Sequence, residues 1–384
     1  ANSVAGNTVV GESALDASVS GGNNTAVGNS ALTTLTSGTS NVAVGHDALL
    51  LTTTGGSNTA VGDTSGDAIT TGAGNVSLGM GSLSAVTTVN SNTAIGHKAM
   101  EQATGASNTA VGSHAMQVAT ASNTTAIGTS CLSALTSGSD NTGLGFQCLD
   151  ANTTGSNNSA GGTGALGQNT TGNTNTAFGY VALTSNTTGT SCVAIGANAL
   201  LANTTASNNV AVGQQALTAN TTGTQNTAVG GNALDSATTA NFNTGIGFLS
   251  GAALTTGGSN TAVGAYSLDA NTTGQSNVAI GKNALSSSTT SNDNTAVGTN
   301  SLAACTTGDQ NTALGVNCAD SITTGARNTS VGSQSLAACT TGDANISIGY
   351  QTLDALTTAS NNVAIGNTAL GACTTGGGNL AIGS

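Results

Sequence analysis

The chain has 384 residues, a formal charge of −12 and only three basic side chains, Lys98, Lys282 and Arg327, so it offers no basic stripe for nucleic-acid phosphates. No run of eighteen apolar residues exists to span a bilayer, and the chain starts at Ala1 without a methionine or a recognisable signal peptide, as a processed or excerpted chain would. Proline and tryptophan are absent and Gly, Ala, Thr, Asn and Ser dominate. Such a composition reads as disorder when its apolar residues are scattered, but here they return to the same columns.

The columns follow from one recurring glycine. It stands at Gly11, Gly28, Gly45, Gly62, Gly79 and Gly96, takes two shortened steps to Gly112 and Gly128, and then returns every seventeen residues to Gly383. A fixed period of this size marks a solenoid or stacked array. No linker, composition shift or charge run interrupts it, so residues 1–384 are expected to form a single continuous repeat array.

Counting from that glycine as zero, each coil opens with a segment such as Asn226-Thr227-Ala228-Val229-Gly230. Position −1 is aliphatic or aromatic in nearly every coil, with Gly161 the exception. Strand alternation then predicts −1 facing inward and the Ala at −2 facing the other way. The Asn before and the Gly after supply turn geometry. Position +4 is usually Leu, as in Leu32 and Leu49, with Met100 and Met116 in two coils. Position +7 mixes Leu35, Ile69, Val86 and Cys305 with Asn152, Asn169 and Asn186, and is read as inward-facing. Position +8 is Thr from Thr36 to Thr374, +9 is nearly always Thr or Ser, and +10 is usually Gly. This second segment, x-Thr-Thr, predicts a second short strand.

Seventeen residues are too few for a strand and a crossover helix. The expectation is an all-β, parallel β-solenoid, a flattened β-roll of about 23 coils, each with two short strands and two tight turns. The absence of proline fits, since every ladder N–H is needed. Coils at a spacing of about 4.8 Å make a rod on the order of 100 Å long, with Asn and Thr ladders bonding along its axis. A lone coil buries too little to offset the ordering of its backbone, so stability must come from stacking. So thin an interior also makes lateral association attractive.

The segments Asn92-Thr93-Ala94-Ile95-Gly96 and Asn362-Val363-Ala364-Ile365-Gly366 resemble the head repeat of YadA-like trimeric autotransporter adhesins. The longer unit from Asn175 to Gly189 is similar to repeats of bacterial surface proteins and phage tail-fibre-like proteins. The resemblance covers nearly the whole chain. It implies a left-handed roll, three chains side by side, and display outside the cell. The family's head repeat is shorter, nearer fourteen residues, and its coiled-coil stalk and membrane-anchor barrel have no counterpart in this sequence.

Few residues stand out as chemistry. His46, His97 and His114 show no distinctive spacing to a nucleophile. Acidic residues share position +5 at Asp16, Asp67, Glu101, Asp150, Asp235, Asp269, Asp320 and Asp354, but never on adjacent coils, which argues against a metal cluster. The seven cysteines read as small buried filler; Cys131 and Cys148 fall on adjacent coils, which leaves a disulfide open. The sequon Asn152-Thr153-Thr154 reads as a structural ladder rather than a glycan acceptor. The sharpest candidate surface is the Thr row at +8: Thr153, Thr170, Thr187, Thr204, Thr221, Thr238, Thr255 and Thr272. If +7 and +9 face inward, it is an exposed row of hydroxyls, with a resemblance to ice-binding solenoids. No catalytic residue, cofactor site or metal site is expected.

The chain begins at position +7 and ends at +1, with no polar cap, and open solenoid edges invite end-to-end stacking. The functional expectation is a non-enzymatic, extracellular structural or adhesive fibre protein at a cell or virion surface. It would pair with copies of itself, as a side-by-side homotrimer or a head-to-tail filament, and with a cell-surface or matrix receptor, without nucleic acid and without membrane insertion. A phage or viral tail-fibre shaft and an ice-binding solenoid are the alternatives.

Overall fold

The computed structural model describes residues 4–384; Ala1, where the reading of the chain start rests, lies outside the described residues. The chain divides into two compact units, residues 1–191 and 192–384. Each is a parallel β-solenoid. The first carries β1 (Thr8–Val10) through β11 (Thr176–Phe178) and the second β12 (Val193–Ile195) through β23 (Leu380–Ile382), numbered in chain order, every strand three residues long. Among the described residues there is no helix.

Within each unit, strands pair in register with the preceding and following coil, so that Thr227, Ala228 and Val229 lie beside Thr244, Gly245 and Ile246. The ladder extends beyond the strand at both ends. Thr227 N–H donates to Asn243 O in the next coil at 2.8 Å, and Gly230 N–H donates to Val212 O in the previous one at 2.8 Å. One-residue slippage would turn every side chain over, and the buried Asn column described below pins the register against it.

The strand faces are the reverse of the sequence expectation. The small residue at −2 is buried, as at Ala26, Ala43, Ala228 and Ala296. The large residue at −1 is outside: Ile95, Ile127, Ile195 and Ile280 are each about two-fifths exposed. The reason is room. The interior is already filled by Leu at +4 and by position +7, both buried as expected, and the space left opposite the strand admits a Cβ and little more. After Val9 the −2 column therefore holds only Ala, Ser or Gly, and it varies jointly with position +3. Gly143 stands where an added Cβ would press on Cys131 Sγ. Ser77 and Ser82 replace the Ala pair with hydroxyls 2.6 Å apart, and Ser335 and Ser347 do the same at 2.6 Å across adjacent coils. Each buried hydroxyl brings its own partner.

The second predicted strand is not one. Residues +7 to +10 form a stack of bends. In a representative coil the N–H groups of Thr70, Thr71 and Gly72 converge on one carbonyl, Thr87 O, at 2.8, 3.3 and 3.3 Å. A strand spreads its N–H groups along the partner; a bend points them at a single oxygen. The connecting turns use positive φ at positions a sequence reading does not flag. In one coil Asn232, Leu234 and Phe242 have φ of 55°, 51° and 61°. A leucine in this region is unusual, but the conformation swings Leu234 into the interior while its N–H donates to Ser250 O at 3.0 Å.

Two buried Asn ladders stitch the coils axially. At −4, Asn226 Nδ2 donates to Ala240 O at 2.7 Å, and its Oδ1 accepts from Asn243 N–H at 3.0 Å. The amide thus satisfies a turn carbonyl and the next coil's backbone together. At +7, Asn169 Nδ2 donates to Asn152 Oδ1 at 2.9 Å and Asn186 Nδ2 to Asn169 Oδ1 at 2.8 Å. Asn152 is fully buried, so its sequon presents no amide to a glycosyltransferase in the folded chain. In the second unit Asn220 Nδ2 donates to Asn203 Oδ1 at 3.0 Å, and the Asn220 Oδ1 is left without a partner where the next coil has Ala237.

Candidate functional site

With −2 turned in, positions −3 and −1 form the outer face of the sheet. In the second unit this face reads Thr227 and Val229, Thr244 and Ile246, Thr261 and Val263, Val278 and Ile280 on successive coils. No charged residue occupies either column anywhere in the chain. In-register pairing makes the face flat and periodic, with side chains two residues apart along the strand and one coil apart across it. An uncharged stripe with a large apolar residue in nearly every coil is what soluble monomers rarely leave open. Sequence reasoning missed it because it placed this column inside. The available signal was the size limit at −2, where only small residues occur after Val9.

The Thr row at +8 lies elsewhere and is engaged. Thr153 Oγ1 donates to Thr170 O at 3.0 Å, and Thr170 Oγ1 to Thr187 O at 2.9 Å. Thr204, Thr221, Thr238, Thr255 and Thr272 repeat the bond to the next coil at 2.9–3.2 Å. All eight are half-buried. The row expected to present free hydroxyls is an axial fastener, because each bend aims its Thr hydroxyl at the same carbonyl as its N–H groups. Position +9, expected to face inward, is the exposed row, as at Thr154, Thr171 and Thr188.

The titratable groups are dispersed. His46 Nδ1 lies 2.9 Å from Asp63 Oδ1 on an exposed edge, and the His97 and His114 rings meet edge-on at 5.3 Å. Cys131 and Cys148 are buried free thiols stacked one coil apart and hydrogen-bonded to each other; that bond, with burial, raises the Cys131 thiol. Burial pushes Cys305 up to about 11. Raised, buried thiols such as Cys131 and Cys305 are poor nucleophiles and act as filler. Cys373 is the one partly exposed member of the seven.

At +5, burial raises the carboxyls of Asp67, Asp150, Asp235, Asp269 and Asp320 above the ordinary 3.8, against backbone N–H groups that lower them. A carboxyl with a raised folded pKa favours the folded state when protonated, and that contribution is lost as pH rises through the folded value. Glu101, lowered mainly by its hydrogen bond to Lys98, works in the opposite sense. Five groups against one predict that the urea midpoint rises as pH falls from 7 to about 4. A midpoint that falls over this range would contradict the assignment.

Shallow grooves run beside the +5 column, between it and position +2. One of about 500 Å³ is bounded by Tyr266, Asp269, Lys282 and Asn283, and another of about 560 Å³ by Gln147, Asp150, Tyr180 and Thr184. No protein-family model matches this chain, and no curated protein matches it in sequence.

Proposed function

We propose that this protein is a non-enzymatic structural element of an extracellular fibre, and that copies of it associate side by side through the outer sheet face. The observation that carries the reading is the charge-free −3/−1 stripe that each unit presents. A second copy is the occupant that fits, because only a partner with the same coil rise stays in step along many coils. The resemblance to YadA-like heads supports three chains in the cross-section and display at a cell surface, with a tail-fibre shaft as the neighbouring version. Length, stiffness and repetitive display are then the function. Sedimentation of the purified chain, with electron microscopy in parallel, is expected to give a species of two or three chains or longer filaments. A species of one chain's mass at high concentration overturns the reading.

One observation favours a second reading. Thr at −3 and an aliphatic residue at −1 stand two apart on a flat strand face, an arrangement that suits ordered water better than the +8 row does. Ice-crystal shaping by the chain, lost when the −3 threonines are replaced, would establish it in place of lateral assembly.

A further inference from the structure

The seventeen-residue period is broken at two successive coils of the first unit, those of Gly96 and Gly112, and the position lost in each is +9. In an ordinary coil the buried amide at −4 reaches the carbonyl fourteen residues on, as Asn141 Nδ2 does to Gly155 O at 2.8 Å. In the shortened coils the same bond spans thirteen: Asn92 Nδ2 donates to Gly105 O at 3.0 Å and Asn108 Nδ2 to Ala121 O at 2.8 Å.

The shortened bends no longer match their neighbours. Thr70, Thr71 and Gly72 N–H all donate to Thr87 O, yet one coil on, among the described residues, none of the Thr87, Thr88 and Val89 N–H groups makes a backbone hydrogen bond. Thr104 N–H reaches Ala119 O at 2.7 Å, a +7 carbonyl in place of the usual +8 one. The Thr87 and Thr104 hydroxyls also lack the axial bond that Thr70 Oγ1 makes at 3.0 Å, and both side chains are exposed. Full lacing resumes where Thr136 and Ser137 N–H donate to Thr153 O at 2.9 and 3.1 Å.

The interior thins at the same coils. Position +7 holds Ala103 and Ala119, between Val86 and Leu135, and +4 holds Met100 and Met116, all buried. Methionine fills irregular space without fixing it. The sheet side, in contrast, keeps every bond. From β5 (Val76–Leu78) to β9 (Thr142–Leu144) the strands stay in register, with Thr93 N–H on Asn108 O at 2.8 Å and Thr109 N–H on Thr124 O at 2.9 Å.

We propose that the coils of Gly96 and Gly112 form a hinge: their bend side parts while the sheet side stays laced, so the first unit flexes about its own β-ladder at this point. Parting there breaks few hydrogen bonds and uncovers little side-chain volume, whereas flexing the other way would have to break the ladder. The inference concerns the single chain, and its test stands whether or not copies associate.

Hydrogen exchange of the full chain, resolved to single amides by fragmentation mass spectrometry, provides the test. Met100 and Met116 N–H donate to Ala115 O at 3.0 Å and Cys131 O at 2.9 Å; Leu149 and Leu166 N–H make the equivalent bonds to Ala165 O and Ala182 O at 3.0 Å. The two methionine amides are expected to exchange at least about tenfold faster than the two leucine amides. Thr93 and Thr109 N–H, on the sheet side, should exchange as slowly as Thr142 N–H. A threonine inserted after Thr104 and another after Thr120 restore the seventeen-residue step, and the methionine amides then slow to about the leucine rate. Circular dichroism reports whether that variant folds, and the comparison within the parent chain is decisive if it does not. Equal rates for the four interior amides in the parent overturn the proposal. So does exchange of Thr93 and Thr109 as fast as Met100, which would mean that the section unfolds whole, or an unchanged contrast in a folded insertion variant.

Discussion

Replacing Gly230 by alanine is expected to destabilise the array by about 2–6 kcal/mol, from backbone strain and overpacking of roughly 1–3 kcal/mol each. Gly230 has φ of 137°, a conformation that side-chain-bearing residues rarely adopt. A Cβ there would also lie 2.5 Å from Gly247 O and 2.7 Å from Gly247 C in the next coil. Neither atom can retreat, since Gly247 N–H is bonded to Val229 O at 2.8 Å and its own coil is stacked on the one after. Because each coil depends on its neighbours, the defect acts as a cut in the array. Limited proteolysis should open new sites between residues 230 and 247, and the urea midpoint should fall. Gly231→Ala is the matched control: its Cβ meets only the Phe248 ring, at 3.5 Å, and its φ is not in the positive range. Equal behaviour of the two variants would show that the zero column is glycine for some other reason.

Charging the outer face is expected to abolish side-by-side association with little loss of fold. Ile246 and Ile280 are 40% and 39% exposed in the single chain. Their replacement by lysine leaves the interior untouched and should change chain stability by no more than about 1 kcal/mol. In an assembly through this face the same ammonium groups would be desolvated against aliphatic side chains. An association constant lower by at least about a thousandfold, roughly 4 kcal/mol, is the expected result. Sedimentation of Ile246→Lys/Ile280→Lys beside the parent chain measures it. Assembly that persists in the double variant would place the interface elsewhere and remove the basis of the proposed function. Lysines at +9, as in Thr222→Lys/Thr239→Lys, are exposed on another part of the coil and should leave the mass unchanged.

The sequence carried the period, the coil boundaries and the interior role of positions +4 and +7. Leu32, Leu35, Ile69 and Asn152 are all buried, as their columns require. Those features were legible because they repeat, and only a stacked array gives a seventeen-residue repeat a reason to hold Leu in one column and Asn in another. The axial role of Asn was legible for the same cause: identical side chains one coil apart can only bond along the stack.

Two things were decided by the tertiary structure. Alternation shows that Ala228 and Val229 face opposite ways, but not which of them faces in; the width left beside Leu234 selects the smaller. The Thr-Thr segment has strand-like residues, yet three N–H groups bent onto one carbonyl are more compact than a second strand and take the Thr hydroxyl with them. The chain itself thus determined a stack of β coils with Leu and Asn inside. Packing space between the coil walls determined which surface is left for partners, because that depends on distances across the coil that no single column contains.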